Sequence, residues 1–304
     1  MRNDILVVEI SGKRPGDWHQ RPTELMPIKY DHIIISNNAD GYDTEWDIIL
    51  VPDEYREWYI ENHKNSESAW YAPMNRSYAI KYAREHGYKY LVQLDDNIKA
   101  LELCYKVNGK KYRSIGIKMI NDFIDMLVCV LENTNAAVSG CTMSSCGAPS
   151  PGLFSERYCY SLFAMNTDVC PDVFHGDFED DIEYRFKCAE LGLPEVMVNP
   201  LRYSKTGQHS NKDESGNRAA YTSAGLKRGE HMRMIHGDMY QCGTWYKTAS
   251  FSHKGGGEYF RHKIKRFKVG ALVKDRKAMD DKMLEILKRN ATPRADTYKL
   301  KVHR

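Results

Sequence analysis

Leu91, Val92, Gln93 and Leu94 lead an apolar run onto Asp95, Asp96 and Asn97, three oxygen-bearing residues in succession. A strand that stops on such residues sets hard ligands at a sheet edge, where a divalent cation carrying a phosphate is commonly held. Much further along, Asp177, Glu179, Asp180, Asp181 and Glu183 open an amphipathic run. Carboxylates entering a helix can serve its macrodipole. Three consecutive acids, Glu179, Asp180 and Asp181, exceed that need, and one of them is a candidate general base. Cation chemistry beside base chemistry is the combination these two clusters offer.

The elements that must position them follow from apolar patterning. Residues 5–10, 33–35 and 47–51 read as short strands, and a helix from Asp53 to Asn62 is opened by Pro52. Residues 75–86 carry helical periodicity (Tyr78, Ala79, Tyr82, Ala83) and stop at Gly87, after which 88–94 is a buried strand. This is a βαβ-type alternation. A turn is expected at 107–110, an amphipathic helix at 115–132, and strands at 136–140 and 158–165. A helix at 182–191, stopped by Gly192 and Pro194, precedes a strand at 195–198. Residues 203–230 are polar and aperiodic, as a binding loop would be. A last helix is expected at 275–289.

The 304 residues suit one large α/β domain with an appendage. Apolar content of 42% and five Trp exclude a mainly disordered chain. No stretch reaches the ~18–20 consecutive apolar residues of a membrane span. The first residues read as a strand and lack the features of a signal peptide, so a cytoplasmic protein without a membrane partner is expected. The eight Cys contain no Cys-x-x-Cys pair and read as reduced core thiols. Cys141 and Cys146 lack partners at zinc-site spacing. Net charge is +3, but unevenly spread: residues 251–304 hold 16 Lys/Arg against 6 Asp/Glu, leaving 28 against 35 for the rest. Such a tail suits a polyanionic partner, although a solvated helical face has the same composition. The division expected is a catalytic domain over 1–250 and a basic extension over 251–304.

The order of motifs carries a resemblance. Asn75 and Arg76 open a helix before the strand that ends on Asp95, Asp96 and Asn97, which resembles the Arg-Asn helix and Asp-x-Asp strand of GT-A-fold glycosyltransferases with two residues transposed. Phe178 to Arg185, Lys205-Thr206-Gly207 and the Lys254-Gly-Gly-Gly257 run extend it. Over roughly residues 1–260 the chain resembles the TET/JBP-associated glycosyltransferases, largely bacteriophage enzymes that glycosylate hydroxymethylated pyrimidines in DNA. The resemblance implies a GT-A-like fold, a Rossmann-like mixed sheet flanked by helices, with a basic, partly helical C-terminal extension. It implies a nucleotide-sugar donor, UDP-glucose or another UDP-sugar, bound by Asn75, Arg76, Asp95, Asp96 and Lys205. Asp95 and Asn97 would hold Mn²⁺ or Mg²⁺, with a loop His (His209 first, then His253 or His236) as third ligand. Asp181 would be the base, with Asp180 one register earlier as the alternative. Lys212 and Arg218 share the loop of His209 and are further diphosphate candidates.

The expected reaction is transfer of a sugar to the hydroxymethyl group of a 5-hydroxymethylpyrimidine such as hydroxymethylcytosine, with inversion, since a base is evident and a nucleophile is not. Lys263, Lys265, Arg266 and Lys268, interleaved with Phe267, would contact DNA phosphates. The compartment would be the host cytoplasm for a phage-encoded chain. Three other readings stay open: a GT-A enzyme acting on glycan or protein, a metal-dependent nuclease, and a non-catalytic DNA-binding module.

Overall fold

The computed structural model describes residues 2–12, 26–63, 71–107, 111–116, 120–144, 152–175, 180–205 and 269–290. They form three layers around one mixed sheet. Strands β1 (Ile5–Ile10), β2 (Asp31–Ser36), β3 (Ile48–Leu50) and β4 (Tyr90–Asp95) make its parallel half in the order β3-β2-β1-β4. All six residues of β1 are buried, as a parallel strand covered on both faces requires. The order continues through β9 (Leu162–Asn166), β7 (Val138–Met143), β10 (Glu195–Lys205), β5 (Ile98–Val107) and β6 (Lys111–Gly116), with β8 (Phe154–Glu156) paired to β10. This is the GT-A-like mixed sheet flanked by helices that the motifs imply.

Helices α1 (Asp53–His63), α2 (Tyr71–Glu85) and α4 (Asp180–Glu190) contribute to the core on one face, α3 (Ile120–Glu132) and α5 (Arg276–Asn290) to that on the other. Helices α2 and α4 end alike. The amide of Tyr88 donates to Ala83 O (2.8 Å) and that of Leu193 to Cys188 O (2.8 Å), around Gly87 at φ 77° and Gly192 at φ 72°. Glycine closes such a turn without the Cβ penalty of the left-handed region.

Several expected boundaries move. On either side of the turn expected at 107–110, β5 and β6 pair antiparallel, and because residues 115 and 116 belong to β6, α3 begins at Ile120 and not at 115. The strand expected at 158–165 starts at Leu162, because Ser161 has φ 61° and breaks the extended backbone. The strand expected at 195–198 runs on to Lys205, shifting register between Val198 and Arg202. Polar Tyr203, Ser204 and Lys205, read as the start of a loop, are paired with β5 and extend the sheet.

Of the C-terminal segment, 269–290 is described, and its helix is part of the core. Met279, Met283, Ile286 and Leu287 bury against α3, each side chain adding about 1.5–3 kcal/mol. Helix α3 is consequently apolar almost all round, lying between sheet and α5. Its buried Asp122 accepts hydrogen bonds from Arg289 Nη1 (2.5 Å) and Asn290 Nδ2 (2.7 Å). The six described cysteines are free thiols.

Candidate functional site

In the parallel half the chain runs β1, β2, β3 to one side, then returns to place β4 on the other side of β1. The crevice beyond the carboxyl ends of β1 and β4 is therefore a topological switch point, the usual ligand position in an α/β sheet. Ile10 and Asp95 are register partners there. Ser11 follows β1, and its hydroxyl donates to Asp96 Oδ2 (3.0 Å). Asn75 Nδ2 donates to Ser11 O (2.9 Å), tying the second turn of α2, which begins at Tyr71 and so ahead of the expected 75, to the same strand end. Asn75 Oδ1 is buried with no hydrogen-bond partner.

Arg76, one residue on, joins the two acidic clusters. Its Nη2 bonds Asp95 Oδ1, and its Nε lies 3.3 Å from Asp180 Oδ2. The guanidinium lies over the rings of Phe163 (5.4 Å) and Phe174 (5.9 Å). Burial, the largest influence on Arg76, favours loss of its charge, but the carboxylates of Asp95, Asp180 and Asp181 outweigh it and the guanidinium stays a cation. On Asp95 burial likewise acts first and upward. The charges of Arg76 and Lys205 override it, holding the carboxyl well below the usual carboxylate range.

Lys205 reaches this point because β10 extends past the expected end, pairing Lys205 with Ile98 just beyond the Asp96–Asn97 turn. Its Nζ is 3.3 Å from Asp95 Oδ2 and donates to Ser161 Oγ (2.8 Å). Ser161 also gives its carbonyl to the Asp95 amide (2.8 Å). A non-glycine residue in the left-handed region costs about 1–3 kcal/mol and persists where its surroundings demand it. Ser161 and Ser11 are the residues that sequence reasoning missed, and neither carries a motif that could have revealed it.

The base cluster is positioned from behind. The Phe174 amide donates to Ser77 Oγ (2.9 Å), Tyr59 OH donates to Phe174 O (2.6 Å), and Tyr184 stacks on Phe174 at 3.9 Å. These contacts seat the first turn of α4 above α2. Asp181 Oδ1 accepts the Ile182 amide (2.9 Å), while Asp180 faces Arg76. Glu179 lies outside the described residues, as do His209, His236, His253, Lys212, Arg218, Lys263, Lys265, Arg266 and Lys268. The structure thus brings Asn75, Arg76, Asp95, Asp96, Lys205 and Asp180 to one place.

Among the described residues no three His, Cys, Asp or Glu side chains form a metal cluster. The ligands within reach of the β4 end are oxygens of Asp95, Asp96 and Asn97, and Asn97 Oδ1 is buried without a hydrogen-bond partner. An all-oxygen set with an unused acceptor fits a hard divalent cation.

A mixed GT-A-like sheet with cations and carboxylates gathered at its switch point presents a charged crevice where α/β sheets bind their ligands. The chain belongs to the TET-Associated Glycosyltransferase family, whose model matches residues 27–217, and it is by that membership a glycosyltransferase. No curated protein matches it. Among solved structures it is similar to one described as the crystal structure of a mycobacterial protein, at 9% identity and a TM-score of 0.41, over 88% of this chain and 86% of that one. No helix among the described residues is long and apolar enough to cross a membrane.

Proposed function

We propose that the protein transfers a sugar from a UDP-sugar to the hydroxymethyl group of a 5-hydroxymethylpyrimidine in DNA, with inversion. The observation that carries this is Arg76, which holds the strand-end carboxylate Asp95 and the helix-entry carboxylate Asp180 around one guanidinium at the switch point. Family membership favours transfer over the nuclease and non-catalytic readings, and TET association favours a modified base over a glycan.

Asp95, Asn97 and His209 would hold Mn²⁺ or Mg²⁺, which when bound offsets the charge of the departing diphosphate. Asn75 and Asp96 position the nucleotide, and Lys205 moves from Asp95 to a diphosphate oxygen. Arg76 holds Asp180 in an ion pair, and the role of base is assigned to Asp181, with Asp180 one register earlier as the alternative. Asp181 takes the proton from the acceptor hydroxyl as that oxygen attacks the anomeric carbon. Lys263, Lys265, Arg266 and Lys268 contact DNA phosphates, giving an affinity that falls with salt.

The test is incubation of hydroxymethylated and plain duplexes with UDP-glucose and Mn²⁺, read by nucleoside mass spectrometry. A hexose mass gain confined to hydroxymethylated DNA is expected. Absence of both transfer and donor hydrolysis across a panel of UDP-sugars refutes the reading.

A further inference from the structure

Beyond the Asp95 crevice, three polar side chains lie abreast on the sheet. Register sets Arg202 of β10 opposite Thr142 of β7 on one side and Glu102 of β5 on the other. Their direction follows from alternation. Leu101, Leu103, Cys141, Leu201 and Tyr203 belong to the core shared with α3, so Glu102, Thr142 and Arg202 face the opposite side. That is the side where α4 packs through Tyr184 and Cys188, and where Asp180 and Asp181 begin the helix.

These are costly residues for such a position. Arg202 is 8% exposed and Thr142 9%. Arg202 Nη2 donates to Ser144 O (2.8 Å), and the Ser144 hydroxyl donates to Glu102 Oε2 (3.3 Å), so the row is braced. Thr142 Oγ1 is buried with no hydrogen-bond partner. A buried hydroxyl left unpaired loses about 1–3 kcal/mol, and a ligand atom placed against it would supply the unmet bond. Lys205, in contact with Asp95, lies three residues along β10 from Arg202, or roughly 10 Å at a strand's rise. That is a distance a sugar ring and its linking bonds can span.

We propose that Glu102, Thr142 and Arg202 form the floor of the acceptor subsite and read the ring edge of the pyrimidine, an inference that rests on the glycosyl-transfer reading above. Thr142 and Arg202 donate to ring carbonyl oxygen or nitrogen. Glu102 accepts from an exocyclic amino group, the pairing a carboxylate makes with a 4-amino pyrimidine and not with a 4-oxo one. The extrahelical base this requires is the form in which enzymes acting on bases take their substrate.

The experiment uses the full-length protein and its variants Glu102→Gln and Thr142→Val. Each is titrated by fluorescence anisotropy against labelled duplexes carrying one 5-hydroxymethylcytosine, 5-hydroxymethyluracil or cytosine, with UDP affinity and thermal midpoint measured in parallel. Both variants are expected to weaken hydroxymethylated DNA about tenfold, the size of one lost base contact, with UDP affinity unchanged. Glu102→Gln is also expected to narrow the preference for the 4-amino ring. Valine keeps the shape of threonine and removes an unpaired hydroxyl, so a purely structural Thr142 predicts equal or higher stability and no change in binding. DNA affinities and their ratio unchanged in both variants overturn the proposal, as does a matching fall in UDP affinity. Sugar transfer by the wild type decides the glycosyl-transfer reading separately, since its failure leaves the binding comparison to judge the row alone.

Discussion

Asp95, partly buried, and Glu195, fully buried, stand on the same sheet, yet the protein treats them in opposite ways. Asp95, at the end of β4, meets Arg76 and Lys205 and is held ionised well below the usual carboxylate range. Glu195, at the start of β10, is pushed up to about 8 by burial, against which the charge of Arg185 and the Cys159 amide (3.0 Å to Oε2) only partly pull. Around Glu195 the thiols of Cys159 and Cys188 are also raised by burial. The lesson is that burial by itself raises a carboxyl on this sheet. Charge at the switch point is imposed by Arg76 and Lys205, and a site built to meet a diphosphate and a proton has use for it.

The largest effect expected is on Asp181. Asp181→Asn keeps the size of the side chain and removes its basicity, so transfer should fall on the order of a thousandfold. UDP affinity should hold, because the nucleotide side of the crevice is untouched. Asp180→Asn separates the two registers: it disturbs the Arg76 pair and is expected to weaken UDP binding as well as turnover. If Asp180→Asn alone abolishes turnover while Asp181→Asn retains it, the roles are exchanged.

Arg76→Met breaks the charged half of the comparison. It leaves Asp95 and Asp180 without the cation between them, and loss of one partner in a buried ion network costs about 3–5 kcal/mol. The contrast is Arg289→Met on the opposite face of the sheet. Asp122 there keeps Asn290 Nδ2, and Arg289 is itself 39% exposed, so about 1–2 kcal/mol is expected. Urea unfolding of both variants measures the difference. Equal losses would make Arg76 an ordinary structural cation, whereas loss of UDP affinity in Arg76→Met alone marks it as part of the site.

How far these residues could be read in advance depends on whether their signal is local. The β4 run ending on Asp95, the acids opening α4 and the glycines closing α2 and α4 are contiguous patterns, and the structure places them as expected. The β5–β6 pairing was obscured because Lys99, Glu102 and Lys106 interrupt its apolar residues, and half-polar alternation is weaker than a buried run. Lys205 looked like loop because its pairing partner, Ile98, stands over a hundred positions away. Ser161 carries no local sign at all, since its backbone is set by Asp95 and Lys205 across the sheet. Arg76 was legible as a site residue but not as the link between acids, which is a purely tertiary fact.

Acidity and alkali sharpen the comparison further, with opposite signs. For Asp95 the folded value lies below the unfolded one of about 3.9, so its contribution is present above that pH and disappears as the solution is acidified through the folded value. Asp95→Asn should therefore flatten the acid limb of stability against pH. For Glu195 the folded value lies above the unfolded one of about 4.3, so the folded state binds the extra proton and stability declines as pH rises. The decline should run from about pH 4.3 to about 8 and then level off. Glu195→Gln carries no such proton. It is expected to match the wild type near pH 5 within about 1 kcal/mol and to exceed it at pH 9, the two urea-derived curves separating up to about pH 8 and keeping that gap above it. Parallel curves would mean that Glu195 is ionised in the folded protein, with Arg185 as a full ion-pair partner, and the contrast with Asp95 would vanish.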